Sequence, residues 1–255
     1  NGASLYEQTT LFKLNSSTDN SRYSYFSLDA SLGRDSKQFW LYGGTGNFQR
    51  VNSVEGDSDN ILYGIKDRDF PYFKSSIPIP REDVSGWKPI AVQNINAAHD
   101  VDDPSICIDT TSDATGELCP VASDDGWVVH LDELANNKHR KLTGSPRVFK
   151  GRVYFPIYKP PDGGNRCALG TAYICSADDE CGTNKSGELA ATEATTDDED
   201  PCYLVRPGIL SELVVFGDTL YGNVAGPSET EDTLVTILAG AGEGNVFRKS
   251  WRQNK

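Results

Sequence analysis

Methionine is absent from this 255-residue chain, and no apolar run approaches the roughly 18 residues that a membrane-crossing helix requires. The chain opens at Asn1 with neither a start residue nor a signal peptide, which reads as a processed product or proteolytic fragment whose N-terminal portion is missing. Basic residues are scarce: 24 Lys and Arg face 37 Asp and Glu, and the net charge of -13 makes nucleic acid an unfavourable partner. Such acidity favours solubility, cations or basic partners instead. Histidine occurs only at His99, His130 and His139, so a nucleophile has few bases to work with. His130 alternates within an apolar strand and His139 follows Asn-Asn-Lys in a turn, which are structural or solvated settings. Gly56-Asp57-Ser58 has no downstream Asp-x-x-His to complete an esterase set. No Cys-x-x-Cys, no Cys-x-x-Cys-His and no zinc-spaced Cys/His set occurs, which excludes thioredoxin, c-type haem and zinc-finger chemistry. Gly43-Gly44-Thr45-Gly46 and the Gly240 to Gly244 stretch lack the Gly-Lys-Ser/Thr of a phosphate loop and read as strand ends and turns.

What remains is an all-β pattern. Short segments of period two or of unbroken apolar character are separated by Gly, Pro, Asn and Asp, and helical stripes are scarce. Strands are expected at 38–41, 61–65, 127–131, 147–149, 152–157, 202–205, 212–216, 219–224 and 233–239. Val148 to Tyr154 and Val215 to Tyr221 each place a Gly-containing turn between β-branched or aromatic residues and read as two copies of one hairpin. Gly86-Trp87 and Gly126-Trp127 lie one propeller-blade period apart. Four Trp, eleven Tyr and ten Phe supply enough large side chains to fill sheet-on-sheet cores. Lys185 to Pro201 is small, acidic and poor in apolar residues, so it is expected to be a flexible, solvated insertion.

Six cysteines in an acidic, turn-rich chain point to disulfides and an oxidising compartment. All six, Cys107, Cys119, Cys167, Cys175, Cys181 and Cys202, read as structural, with 15 pairings open. Loop-closure entropy favours Cys107 with Cys119 and Cys175 with Cys181, which leaves Cys167 with Cys202 around the acidic insertion. Glu55, Asp57 and Asp59 alternate over one loop, and Asp100, Asp102 and Asp103 form a second cluster; oxygen ligands so spaced can hold calcium, although neither completes a calcium-binding loop. Glu55, Asp57 and Asp59 are the candidate metal ligands, and no other cofactor is expected.

An ordered set of motifs adds a resemblance. Gly44-Thr45-Gly46-Asn47-Phe48 and Tyr63-Gly64-Ile65-Lys66-Asp67 are similar to the F-G-T-G-x-Y and Y-G-I-W-D segments of the PilC/PilY family of type IV pilus proteins. Gly126-Trp127 through Leu131, Pro146 through Phe155, Cys167 through Gly170 and Ser250-Trp251-Arg252-Gln253 resemble that family's G-W-Y-x-x-L, P-V-V-x-x-G-R-V-x-F, P-C-x-x-G and S-W-R-E segments, in the same order. The Trp of Y-G-I-W-D is replaced by Lys66, the Tyr of the first segment by Phe48 and the final Glu by Gln253. The family's Asp-rich calcium loop has no counterpart here, and no Arg-Gly-Asp occurs.

The resemblance implies that residues 1–255 are the C-terminal part of a modified β-propeller, a partial one of four-stranded antiparallel blades with long disulfide-stapled insertions. It further implies a non-catalytic cell-surface protein, exported through the periplasm, that acts in pilus tip assembly and adhesion. Its expected partners are the N-terminal part of the same parent protein, the minor pilins of the pilus tip and a host or surface receptor. An incomplete ring leaves unpaired strand edges, which pair with another chain or aggregate. Two other classes compete. A quinoprotein-like propeller enzyme would carry a chromophore and a repeat of cofactor-stacking Trp, whereas a carbohydrate-binding β-domain would bind glycans without any pilus partner.

Overall fold

Six of the nine expected strands belong to two sheets that face each other, and the other three to a third sheet packed behind them. The computed structural model describes residues 12–14, 22–34, 36–54, 60–67, 93–94, 99–100, 126–131, 139–161, 168–182, 202–226 and 234–238. Among these, no α-helix occurs, and one 3-10 turn spans Phe48–Arg50. The strands in chain order are β1 (Phe12–Lys13), β2 (Asp29–Leu32), β3 (Phe39–Gly44), β4 (Ile61–Asp67), β5 (Gln93–Asn94), β6 (His99–Asp100), β7 (Gly126–His130) and β8 (Lys141–Leu142). They continue with β9 (Arg147–Phe149), β10 (Arg152–Lys159), β11 (Thr171–Asp178), β12 (Cys202–Pro207), β13 (Ile209–Leu210), β14 (Val214–Phe216), β15 (Thr219–Ala225) and β16 (Leu234–Leu238).

The first sheet is the antiparallel series β2-β3-β4-β7, with β6 added in parallel at the edge. In the second, β10 pairs with β11 along its whole length and β11 with β12; the other side of β10 is lined by β9 at one end and β8 at the other. β8 and β9 are therefore two halves of one strand, interrupted at residues 143–146. The third sheet repeats this device, since β13 and β14 share one side of β15 while β16 takes the other. The two hairpins expected from sequence are β9-β10 and β14-β15, which occupy the same place in consecutive sheets. Lys150 (φ 52°) and Gly151 (φ 76°) form the two-residue turn of the first, with both residues left-handed as the strand twist requires.

Period-two patterning decides which sheet packs against which. On β3, β4 and β7 the side chains of Trp40, Tyr42, Leu62, Trp127 and Val129 point toward the second sheet, where Val153, Phe155, Ile157, Tyr173 and Cys175 meet them in one buried cluster. The alternate residues of the second sheet, Tyr154, Ala172 and Ile174, pack on Leu210, Leu213, Leu220 and Val224 of the third. The middle sheet is thus buried on both faces. The far face of the first sheet is also covered, with Ile61, Tyr63, Ile65 and Val128 each at most 3% exposed. The architecture is all-β, built of successive antiparallel sheets packed face to face. No closed ring forms among the described residues.

β11 is the longest of the strands absent from the sequence reading, and one disulfide follows from it. β11 reads Thr-Ala-Tyr-Ile-Cys-Ser-Ala-Asp, a mixture of small and aromatic residues buried on both faces, so it shows no alternation. In the register β11 to β12, Cys175 lies directly opposite Cys202, and the two form a disulfide. This overturns the expected Cys175–Cys181 and Cys167–Cys202 pairings. An extended strand carries the chain about 10 Å from Cys175 to Asp178 before Cys181 is reached, beyond the span of about 7 Å that a disulfide bridges. The entropy of closing a coil loop is the wrong criterion where a strand intervenes.

Candidate functional site at the junction of the first two sheets

Four of the six family-like motifs, those at 44–48, 63–67, 126–131 and 146–155, lie where the first sheet meets the second. β3 ends at Gly44, and Thr45 then ties the two sheets together. Its N–H donates to Ile61 O (2.9 Å), its Oγ1 accepts from Ile61 N–H (2.9 Å), and its carbonyl accepts from Leu142 N–H (3.1 Å) across the junction. Asn60, wholly buried, completes the tie: its side-chain amide donates to Arg140 O (2.9 Å) and its backbone carbonyl accepts from Leu131 N–H (2.9 Å). A Thr here satisfies buried backbone groups that an apolar residue would leave orphaned.

Gly64 and Trp127 form a second tie, between two motifs about sixty residues apart. They are register partners on β4 and β7, and the indole lies so close over Gly64 that a Cβ there would sit 2.5 Å from the ring. Gly126, with φ +153°, has the same intolerance, since its own Cβ would meet Gly64 O at 1.9 Å. The wide ring of Trp127 thus requires glycine at Gly64 and also at Gly182, where a Cβ would sit 2.6 Å from it. Trp40, Tyr42, Trp127 and Phe155 continue as an aromatic array with ring centroids 6.3 Å apart at each step. Lys66, where the family pattern has Trp, is buried beside Trp40 with its ammonium 5.5 Å from the ring centre, a cation–π contact.

At one end of this array lies the acidic turn Asp178-Asp179-Glu180, which docks the end of β11 against the β2-β3 hairpin. Asp178 Oδ1 accepts from the N–H groups of Glu180 (3.0 Å) and Cys181 (2.9 Å), which folds the turn back on itself. Glu180 Oε2 accepts from Ser36 N–H at 2.7 Å, and Trp40 Nε1 donates to Ser36 Oγ at 3.0 Å. Trp127 Nε1 donates to Asp179 O at 3.1 Å. The Asp179 carboxyl is 5% exposed, and its Oδ1 has no hydrogen-bond partner. Burial, then the neighbouring Asp178 and Glu180 carboxylates, push Asp179 up to about 7, against the pull of Arg34. Burial and the same acidic residues hold the Tyr42 hydroxyl well above its ordinary range, although it shares a 2.9 Å hydrogen bond with Ser31. Tyr63, on the far face of the sheet, is pushed up to about 12 by burial. The only sequence signal of the Asp178 to Glu180 turn is three consecutive acids, which begin at the last residue of β11.

The residues singled out from sequence are scattered. Glu55, Asp57 and Asp59, Asp102 and Asp103, and Cys107, Cys119 and Cys167 lie outside the described residues, as does the acidic insertion Lys185 to Pro201. That insertion joins β11 to β12. His130 is on β7, His99 on β6, and His139 occupies a turn with φ 70°. Among the described residues, no three His, Cys, Asp or Glu side chains group in a way that could hold a metal ion. No described helix is long and apolar enough to cross a membrane.

A rim surface accompanies the junction. Tyr23 (48%), Tyr25 (42%) and Phe48 (41%) are exposed together beside Asn47; the two tyrosine rings lie 6.2 Å apart, and the Tyr25 hydroxyl donates to Asn47 Oδ1 at 3.4 Å. Phe48 rests edge-on against Phe26, at 5.3 Å between ring centres. On the outer face of the third sheet, Val214, Phe216 and Leu234 are exposed.

No protein-family model matches the chain, and no curated protein matches it. Among solved structures, it is similar to the crystal structure of the Pseudomonas aeruginosa PilY1 C-terminal domain, at 10% sequence identity and a TM-score of 0.49. The match covers 89% of this chain and 48% of that one, so the chain spans about half the length of the solved domain.

Proposed function

We propose that this chain belongs to a non-catalytic cell-surface protein of a type IV pilus system, which acts in pilus tip assembly and adhesion. The observation that carries this reading is the ordered motif set. Gly44-Thr45-Gly46, Tyr63-Gly64-Ile65, Gly126-Trp127 and Pro146 through Phe155 resemble the PilC/PilY pattern, and each is accounted for by one junction between two sheets. The sequence holds no nucleophile-and-base pattern, which supports a binding role over catalysis. The protein works at the surface of the pilus-bearing cell, with minor pilins and a surface receptor as partners.

The N-terminal part of the parent protein is the remaining partner. The second sheet buries the face that the third covers, whereas the third sheet's own outer face leaves Phe216 76% exposed, which supports continued stacking there. The test is deletion of the parent gene followed by complementation. Loss of surface pili and of adhesion, restored by the intact gene, is expected; normal piliation and normal adhesion in the deletion strain would refute the reading.

One observation favours a second reading, a carbohydrate-binding β-domain. Tyr23, Tyr25 and Phe48 offer apolar ring faces beside polar groups, the chemistry that suits a sugar. A glycan array probed with this chain alone separates the two readings.

A further inference from the structure

The ammonium of Lys141 is held by the backbone of another sheet's loop. Lys141 lies on β8 of the second sheet and is 3% exposed. Its Nζ donates to three carbonyl oxygens of the loop between β3 and β4: Arg50 O at 2.7 Å, Val51 O at 3.0 Å and Ser53 O at 2.6 Å. Carbonyls at the end of a short helical turn ordinarily face water. Here all three turn inward on one point.

That convergence has supports other than the amine. Asn47 caps the turn, accepting from Arg50 N–H through its carbonyl (3.1 Å) and its side chain (3.3 Å), and Ser53 N–H donates to Arg50 O at 3.0 Å. Asn52 Oδ1 accepts from the Tyr158 hydroxyl of β10, which anchors the middle of the turn to the second sheet. The oxygens are thus pre-organised, as in carbonyl sites that replace an ion's hydration shell. The contacts of 2.6 to 3.0 Å are hydrogen-bond lengths for an ammonium, and a monovalent cation of similar size such as potassium could take the same place.

We propose that the Arg50–Ser53 turn is a carbonyl cage for a monovalent cation, and that the Lys141 ammonium is its built-in occupant. A tethered cation fixes the loop to the second sheet whatever ions are dissolved around it. The loop that continues toward Glu55, Asp57 and Asp59 is therefore anchored at its start without a metal.

The test measures thermal unfolding of the whole chain as wild type, Lys141→Ala and the near-isosteric Lys141→Met, in potassium, sodium, calcium, choline and ethylammonium chlorides at equal ionic strength. The wild-type midpoint is expected to be the same in all five. Lys141→Ala, which vacates the cage, is expected to fall by about 5–10 °C in choline and to recover saturably in potassium or ethylammonium. Lys141→Met keeps the bulk but not the charge, so it should fall and recover in no salt. The proposal fails if Lys141→Ala matches wild type, if it recovers equally in choline, if calcium alone restores it, or if it stays unfolded in every salt.

Discussion

Raising the pH from 5 to 8 should weaken this protein through a single carboxyl, that of Asp179. In the folded chain its proton is held until about pH 7, because ionisation would place a charge in a buried turn beside Asp178 and Glu180. In the unfolded chain the same group releases its proton near its ordinary value of 3.8. Between those values the folded state binds more protons than the unfolded one. Stability is therefore fully present below about pH 4, declines as pH rises toward 7 and is flat above it. The whole window amounts to on the order of 4 kcal/mol, and the part from pH 5 upward to roughly 2–3 kcal/mol. With a urea dependence of about 3 kcal/mol per molar for a chain of this size, the midpoint should fall by nearly 1 M. Other carboxylates change over the same range, so the comparison is with Asp179→Asn, which is neutral throughout and keeps the shape of the side chain. Urea titrations of both proteins at pH 5, 6, 7 and 8 supply the assay. Wild type should lose stability relative to Asp179→Asn as pH rises; parallel profiles, or a relative gain for wild type, would refute the reasoning.

Three further outcomes are expected. Peptide mapping without reduction should recover Cys175 joined to Cys202, and Cys202→Ser should cost about 3.5 kcal/mol from the separation of 27 residues, whereas Cys181→Ser should leave that bridge intact. Gly64→Ala should destabilise by about 1–3 kcal/mol because its methyl group meets the Trp127 ring, and the cost should shrink in a Trp127→Ala background when the double mutant is compared with the singles. Removing Asp218, which pairs with Lys150 at 3.0 Å while 77% exposed, should change the denaturation midpoint little, since exposed ion pairs contribute about 1 kcal/mol or less.

How far the sequence could be read depended on where each segment's two faces ended up. β15 has one face toward the core and one toward solvent and partly alternates, and the Gly217-Asp218 turn between it and the apolar Val-Val-Phe of β14 marks the hairpin. β10 is buried on both faces, yet its run of Val, Tyr, Phe and Ile still identifies a strand. β11 is equally buried but carries Ala, Cys and Ser where it meets its neighbours, so neither alternation nor bulk distinguishes it. The acidic turn shared its fate. Asp178 to Glu180 read as an ordinary polar stretch because nothing local reveals that Ser36, Trp40 and Trp127 close over it.

The chain alone determined that it folds as strands and turns, where its hairpins lie, and that Gly, Thr and Trp recur in a particular order. These are local properties, set by side-chain period, turn chemistry and the spacing of apolar residues. Tertiary structure alone decided that Cys175 bonds Cys202, that Asp179 keeps its proton near neutrality and that Lys141 sits in a ring of carbonyls. Each of these depends on groups far apart in the chain, and only register between strands and packing between sheets brings such groups within reach.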